Sequence, residues 1–227
     1  KHTMFSLFKP FLPDGRREFV IQAMLNCGAT KSRLGLLKSH CGASEQLAYC
    51  SECVKDDTFK FGFPYWHREH SLVGVEICHL HKSPLTKIHM GSCQFGTRCL
   101  QLPGELVTPN RWNEVQYSRH CFIAEQVALI TNTRNDIVIR SHSYNQLLTE
   151  NNLLTKSNHV RMKNLQAVIN DWLEPLANMT PFNELISALG IERNWIANLV
   201  AGKDGMHHPI KHIVLWGALE TNLRDFN

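Results

Sequence analysis

Cys50-Ser51-Glu52-Cys53 and, further on, Cys78-His79-Leu80-His81 decide how this chain folds. Two cysteines separated by two residues put both thiolates on one tight turn. Cys78 and His81 repeat that spacing with an imidazole as the second donor. Two such knuckles face to face give three sulfurs and one nitrogen. This closed tetrahedral set suits zinc, which accepts mixed S/N ligands and has no redox chemistry to manage. Four protein ligands leave no position for water, so Cys50, Cys53, Cys78 and His81 are expected to hold the fold together rather than to catalyse. His79 is the rival fourth ligand, but it directly follows Cys78, so its side chain should leave the knuckle in another direction. His67 and His70, between the knuckles, read either as donors supporting the ligands or as solvent-facing positions on an aromatic strand.

Around the knuckles the residues carry a resemblance. Tyr49-Cys50-Ser51-Glu52-Cys53 is followed by Phe63-Pro64-Tyr65-Trp66-His67-Arg68-Glu69-His70, then Leu72-Val73-Gly74-Val75, then Cys78-His79-Leu80-His81 and Leu85. This resembles the signature of the TniQ/TnsD family of transposon target-selector proteins. Ser51 and Val73 stand where the family usually has proline, and both lie outside the ligand set. The opening Lys1-His2-Thr3-Met4-Phe5 and the late His207-His208-Pro209-Ile210-Lys211-His212 are also similar to TnsD-type members. The chain opens on Lys1 rather than Met, and against the family it is expected to be N-terminally truncated.

Composition is that of an ordinary folded protein: 43% hydrophobic and 19% charged over 227 residues, enough for one substantial core or two small ones. The net charge of +4 and pI of about 8.6 permit nucleic-acid binding without demanding it. Eight cysteines could suggest a disulfide scaffold. Half of them fall in or near knuckle spacing and no signal peptide precedes them, so a reducing cytoplasm is expected. No apolar run approaches the roughly 20 residues that cross a bilayer.

The pattern along the chain predicts a mainly α protein with a small zinc-knuckle β element, a zinc-finger module followed by a helix-turn-helix-type helical bundle. Residues 1–46 are expected to form helices packed on the finger. One runs over 15–27 with Phe19, Val20, Ala23 and Met24 as its apolar stripe, and a second is capped by Thr30. The finger spans 47–89. Its alternating Phe59, Phe61, Phe63 and Tyr65 suit a strand. A loop at 90–110 holds Cys93 and Cys99, whose spacing gives no second clean metal pair.

From 111 to 227 the reading is helical: a long helix over 111–131, a short one over 143–148, and a third opened by Ser157 as N-cap and ended by Pro175. Short helix, turn and second helix is the outline of a helix-turn-helix. It would place Ser157, Asn158, His159, Arg161 and Lys163 on the DNA-facing turns of the second helix. A second copy begins at Pro181, turns at Gly190 and presents Arg193, Asn194 and Asn198 outward, with Lys203 and Lys211 flanking. Arg and Asn can read base edges, while Lys and Ser suit phosphate. His207 and His208 fit phosphate contact or a helix cap equally.

Three functions compete. The first is a non-enzymatic selector that binds double-stranded target DNA. The family resemblance implies that its partner is an AAA+ regulator of the TnsC kind. The second is a protein-only adaptor linking that regulator to an RNA-guided effector complex, with little direct reading of sequence. The third, a metal-dependent hydrolase, lacks an open coordination position, an H-E-x-x-H, paired carboxylates and a P-loop.

Overall fold

A computed structural model describes residues 5–26, 46–89, 102–104, 106–133, 138–139, 143–190, 195–201 and 207–226. The chain divides into two compact units. One comprises residues 43–128, and the other comprises 3–42 together with 129–227. The sequence placed the N-terminal helices on the finger, with a boundary near 105–110. Instead the described N-terminal residues, 5–26, group with residues 129–227, and the second boundary falls within a helix.

The finger unit is built on a two-stranded antiparallel sheet. β1 (Gln46–Tyr49) pairs with β2 (Thr86–His89) in the register Gln46↔His89 to Tyr49↔Thr86. Between them, α3 (Ser51–Phe61) starts immediately after β1 and ends at Gly62, whose φ of 83° forms a left-handed cap. The aromatic stretch expected to be a strand is therefore helical as far as Phe61. Phe59 is 92% exposed, and Phe61 and Phe63 are also exposed, so their alternation does not report a buried strand face. α4 (Glu114–Asn132) opens on a capping box. Asn113 Oδ1 accepts from the Gln116 backbone N–H at 2.9 Å, and Gln116 Oε1 accepts from the Asn113 N–H at 3.1 Å.

In the second unit, α1 (Phe5–Phe8), a 3-10 turn at Lys9–Phe11 and α2 (Asp14–Leu25) come first. α5 (Ser143–Glu150), α6 (Met162–Leu173), α7 (Phe182–Ser187), α8 (Trp195–Ala201) and α9 (Pro209–Ala218) follow. α9 is the central post, with every residue from Pro209 to Trp216 buried. A helix that is apolar around most of its surface is buried, which fits Ile210, Ile213, Val214, Leu215 and Trp216, with Lys211 and His212 as buried polar exceptions. α6 lays Leu165, Ile169 and Leu173 into the same core, and α6 packs closely along α9. The N-terminal segment closes it. Phe11 stacks on His212 at 4.0 Å, Phe8 meets His208 edge-on at 5.6 Å, and the Ile139 N–H donates to Pro10 C=O at 2.8 Å. On α2 only Val20 of the expected stripe is fully buried, with Ala23 packed against it; Phe19 and Met24 face outward.

The third predicted helix of the helical half starts later than expected. Ser157 is not its cap. Leu154 and Val160 form a β-bridge around a tight turn, Asn158 takes a φ of 61°, and α6 begins at Met162 after Arg161. The helix expected from Thr30, together with Cys27, Cys41, Cys93 and Cys99, lies outside the described residues.

Candidate metal centre and nucleic-acid interface

Cys50 sits between β1 and α3 as the helix N-cap, and its C=O accepts from the Val54 N–H at 3.1 Å. Cys53 follows three positions later, so the first turn of α3 brings both sulfurs to one face. The second knuckle is a small hairpin. Ile77 and Pro84 pair across it, the Cys78 N–H donates to Ser83 C=O at 2.9 Å, and the Lys82 N–H returns to Cys78 C=O at 2.9 Å. Lys82 adopts a φ of 55° to complete the turn. This turn aims the Nδ1 of His81 at the three sulfurs.

The donor atoms of Cys50, Cys53, Cys78 and His81 all lie within 4.8 Å of one another. His81 Nδ1 is 3.3, 3.5 and 3.7 Å from the Sγ of Cys53, Cys50 and Cys78, and Cys53 Sγ is 3.6 Å from Cys78 Sγ. A tetrahedral metal with S and N bonds of about 2.3 and 2.05 Å would set S···N near 3.6 Å and S···S near 3.8 Å. A disulfide would need about 2.05 Å, and all three cysteines are free and buried. The donor set and its spacing fit a metal ion.

The electrostatics point the same way. Thiol donors from Cys53 and Cys78 hold Cys50 far below its ordinary range. Hydrogen bonding with Cys50 pushes both Cys53 and Cys78 up, and burial adds to the rise. Three adjacent thiols cannot all ionise without a cation among them. Ser83 Oγ, 3.1 Å from Cys50 Sγ, supports that sulfur. Asp56 on α3 lies 3.5 Å from His81 Nε2 and favours the tautomer that leaves Nδ1 free as a ligand.

His79 is not in this set. It groups instead with His70 and Cys78. His70 does not face solvent: it is 2% exposed, neither ring nitrogen is hydrogen-bonded among the described residues, and burial holds its pKa down at about 4. His67 is also turned inward, with Nε2 2.7 Å from the buried Asp57 carboxylate and its ring stacked between Tyr65 and His70. The pairing of His67 with Asp57 was missed in the sequence, because its partner lies on the preceding helix rather than within the motif.

The cations of the finger are all neutralised locally. Every Lys and Arg from 46 to 89 has a carboxylate partner: Lys55 with Glu52, Lys60 with Asp56, Arg68 with Glu69, Lys82 with Glu125 and Lys87 with Glu76.

In the helical unit Ser157, Asn158, His159, Arg161 and Lys163 are exposed, the first three on the turn before α6 rather than on a helix. Asn198 is half-buried on α8. Arg193, Asn194 and Lys203 lie outside the described residues. Lys211 was expected to flank the second helical pair from outside. It is 4% exposed on the buried post α9, with Nζ 5.9 Å from the Trp195 ring centroid. His208 resolves as a cap, its Nδ1 accepting from the Ile210 N–H at 3.3 Å.

Two family models match the chain. The TniQ model matches residues 16–85, which contain the four metal donors, and the model for Tn7-like transposition protein D, TnsD, matches residues 123–227. Among curated proteins, the transposon Tn7 transposition protein TnsD of Escherichia coli is 30% identical over 83 residues. That stretch covers 36% of this chain and 16% of the relative.

Proposed function

Because the chain belongs to the TniQ/TnsD family of transposition proteins, we propose that it is a non-enzymatic target selector that binds duplex DNA at the insertion site and recruits an AAA+ regulator of the TnsC kind. The family carries the target-selection role. The observation that supports direct DNA contact is the likeness of residues 123–227 to a Tn7-like transposition protein D, because this stretch holds the exposed Ser157, Asn158, His159, Arg161 and Lys163. Cys50, Cys53, Cys78 and His81 hold a structural zinc. With all four positions filled by protein, the ion organises the finger and activates no water. Asn198 on α8, with Arg193, Asn194 and Lys203 read from the sequence alone, is proposed to add DNA contacts.

The self-neutralised charges of the finger favour a second reading for that unit, a protein-facing surface that meets the regulator or an RNA-guided effector complex. Selection from a random duplex library at fixed, stated salt separates the two readings. A single enriched motif of about a dozen base pairs, the footprint of tandem readers, supports the selector. Weak, salt-sensitive binding without enrichment supports the adaptor.

A further inference from the structure

The turn between α5 and α6 is a constrained cationic hairpin. Thr155 and His159 bond through their backbones at 2.8 Å, the Asn158 N–H returns to Thr155 C=O at 2.9 Å, and the His159 N–H donates to Thr155 Oγ1 at 3.0 Å. Ser157 Oγ lies 3.1 Å from both Thr155 Oγ1 and His159 Nδ1. Asn158 takes the left-handed apex. The Arg161 N–H donates to Leu153 C=O and its Nε to Leu154 C=O, tying the base of the turn to α6. The hairpin is thus held by its own hydrogen bonds, and ordering it on a ligand would cost little conformational entropy.

Its charge is one-sided. Between Glu150 and Asp171 the sequence has Lys156, Arg161 and Lys163 and no carboxylate. Among the described residues none of these three has an ion-pair partner, and all are exposed. Residues 46–89 show the opposite pattern, with each cation beside an acid. Unpaired cations on a rigid, exposed turn that also offers hydroxyl and amide donors match the phosphodiester backbone, which takes charge and hydrogen bonds without regard to base.

We infer that the Thr155–Arg161 turn, together with Lys163 on the first turn of α6, and not the finger, is the element that clamps the phosphate backbone of duplex DNA. This rests on the DNA-binding reading above and deepens it. The hairpin sets register on the duplex, and base reading falls to other residues of the same unit.

The test is a salt titration of binding to a mixed-sequence duplex, using the zinc-loaded full chain. Lys156→Ala/Lys163→Ala removes two unpaired charges and leaves Arg161 in its backbone bonds. Lys55→Ala/Lys60→Ala removes two paired ones. Lys156→Gln/Lys163→Gln serves as a second, milder pair, and matched thermal melts confirm folding. The slope of log affinity against log salt should fall by about two in both hairpin variants and stay at the wild-type value in the finger variant. An unchanged slope in folded hairpin variants, an equal fall in the finger variant, or tighter binding to structured RNA than to duplex overturns the inference and leaves the selector reading standing. Absence of duplex binding by the wild-type chain at every salt overturns both.

Discussion

Gly217 on α9 faces the ring of Trp172 on α6 with no space between them: a Cβ on Gly217 would stand 2.5 Å from Trp172 Cζ2 and 2.7 Å from Cε2. The contact between the two helices at this point depends on the missing methyl group. Gly217→Ala should therefore destabilise the helical unit by about 1–3 kcal/mol, the usual cost of overpacking, although alanine is the better helix former. Thermal melting checks this. Trp172→Leu in the Gly217→Ala background should recover part of the loss, because the two sites share one contact. A Gly217→Ala protein as stable as wild type would show that the ring swings clear.

Chelation provides the second test. Residues 46–89 of the finger have two short strands and one α-helix, so a metal at Cys50, Cys53, Cys78 and His81 should supply part of the folding free energy. Cys78→Ser, or excess chelator, should release one zinc per chain and abolish the finger's cooperative melt. The helical unit should keep its helical circular dichroism. Mass spectrometry showing no bound metal, or unchanged melting after chelation, would remove zinc from the account.

The cluster of Cys50, Cys53, Cys78 and His81 was legible because its information is local: two pairs at fixed spacing, with His81 preferred over His79 on side-chain direction. The outward aromatics misled, because Phe59, Phe61 and Phe63 recur with strand-like period while facing water, and Gly62 ends a helix where a strand was read. Ser157 carries the composition of an N-cap, but pairing of Leu154 with Val160 takes that backbone into a turn. Lys211 looked like a surface charge, yet it lies on a helix buried all round. The alliance of the first helices with α9 depends on contacts such as Phe11 with His212, which no local pattern encodes. The lack of acids around Lys156 was readable in the sequence; its significance emerged only once the finger's cations were seen to be paired.

Acid should loosen the helical unit. Burial first, and Lys211 next, hold His208 and His207 at about 4, and burial holds His212 well below its ordinary value. His208 also accepts from the Ile210 N–H, a role that only the neutral ring can play. Tyr144 and Phe11 face His212, and neither offers a negative charge to offset protonation. The folded chain thus binds fewer protons than the unfolded chain between pH 6.5 and about 4, so stability falls as pH drops through that window. A loss on the order of 3 kcal/mol by pH 4 is expected from His208. His208→Asn keeps a capping oxygen and removes the titration. Its melting temperature should fall less steeply with acid than that of wild type, and parallel profiles would rule out His208 as the cause.

Gly62 isolates a purely backbone effect in the finger. Its φ is 83°, its N–H closes α3 onto Thr58 C=O at 3.0 Å, and nothing lies within 4 Å of where a Cβ would stand. Substitution there meets no steric obstacle, so the cost is that of placing an L-residue in the left-handed region. Gly62→Ala should lower finger stability by about 1 kcal/mol, and Gly62→Asn by less, because asparagine tolerates this conformation. The measurement belongs in the zinc-loaded chain with free zinc fixed, since metal binding adds to apparent stability by mass action. If alanine and asparagine cost the same, the helix end has shifted to a cap that no longer uses the left-handed residue.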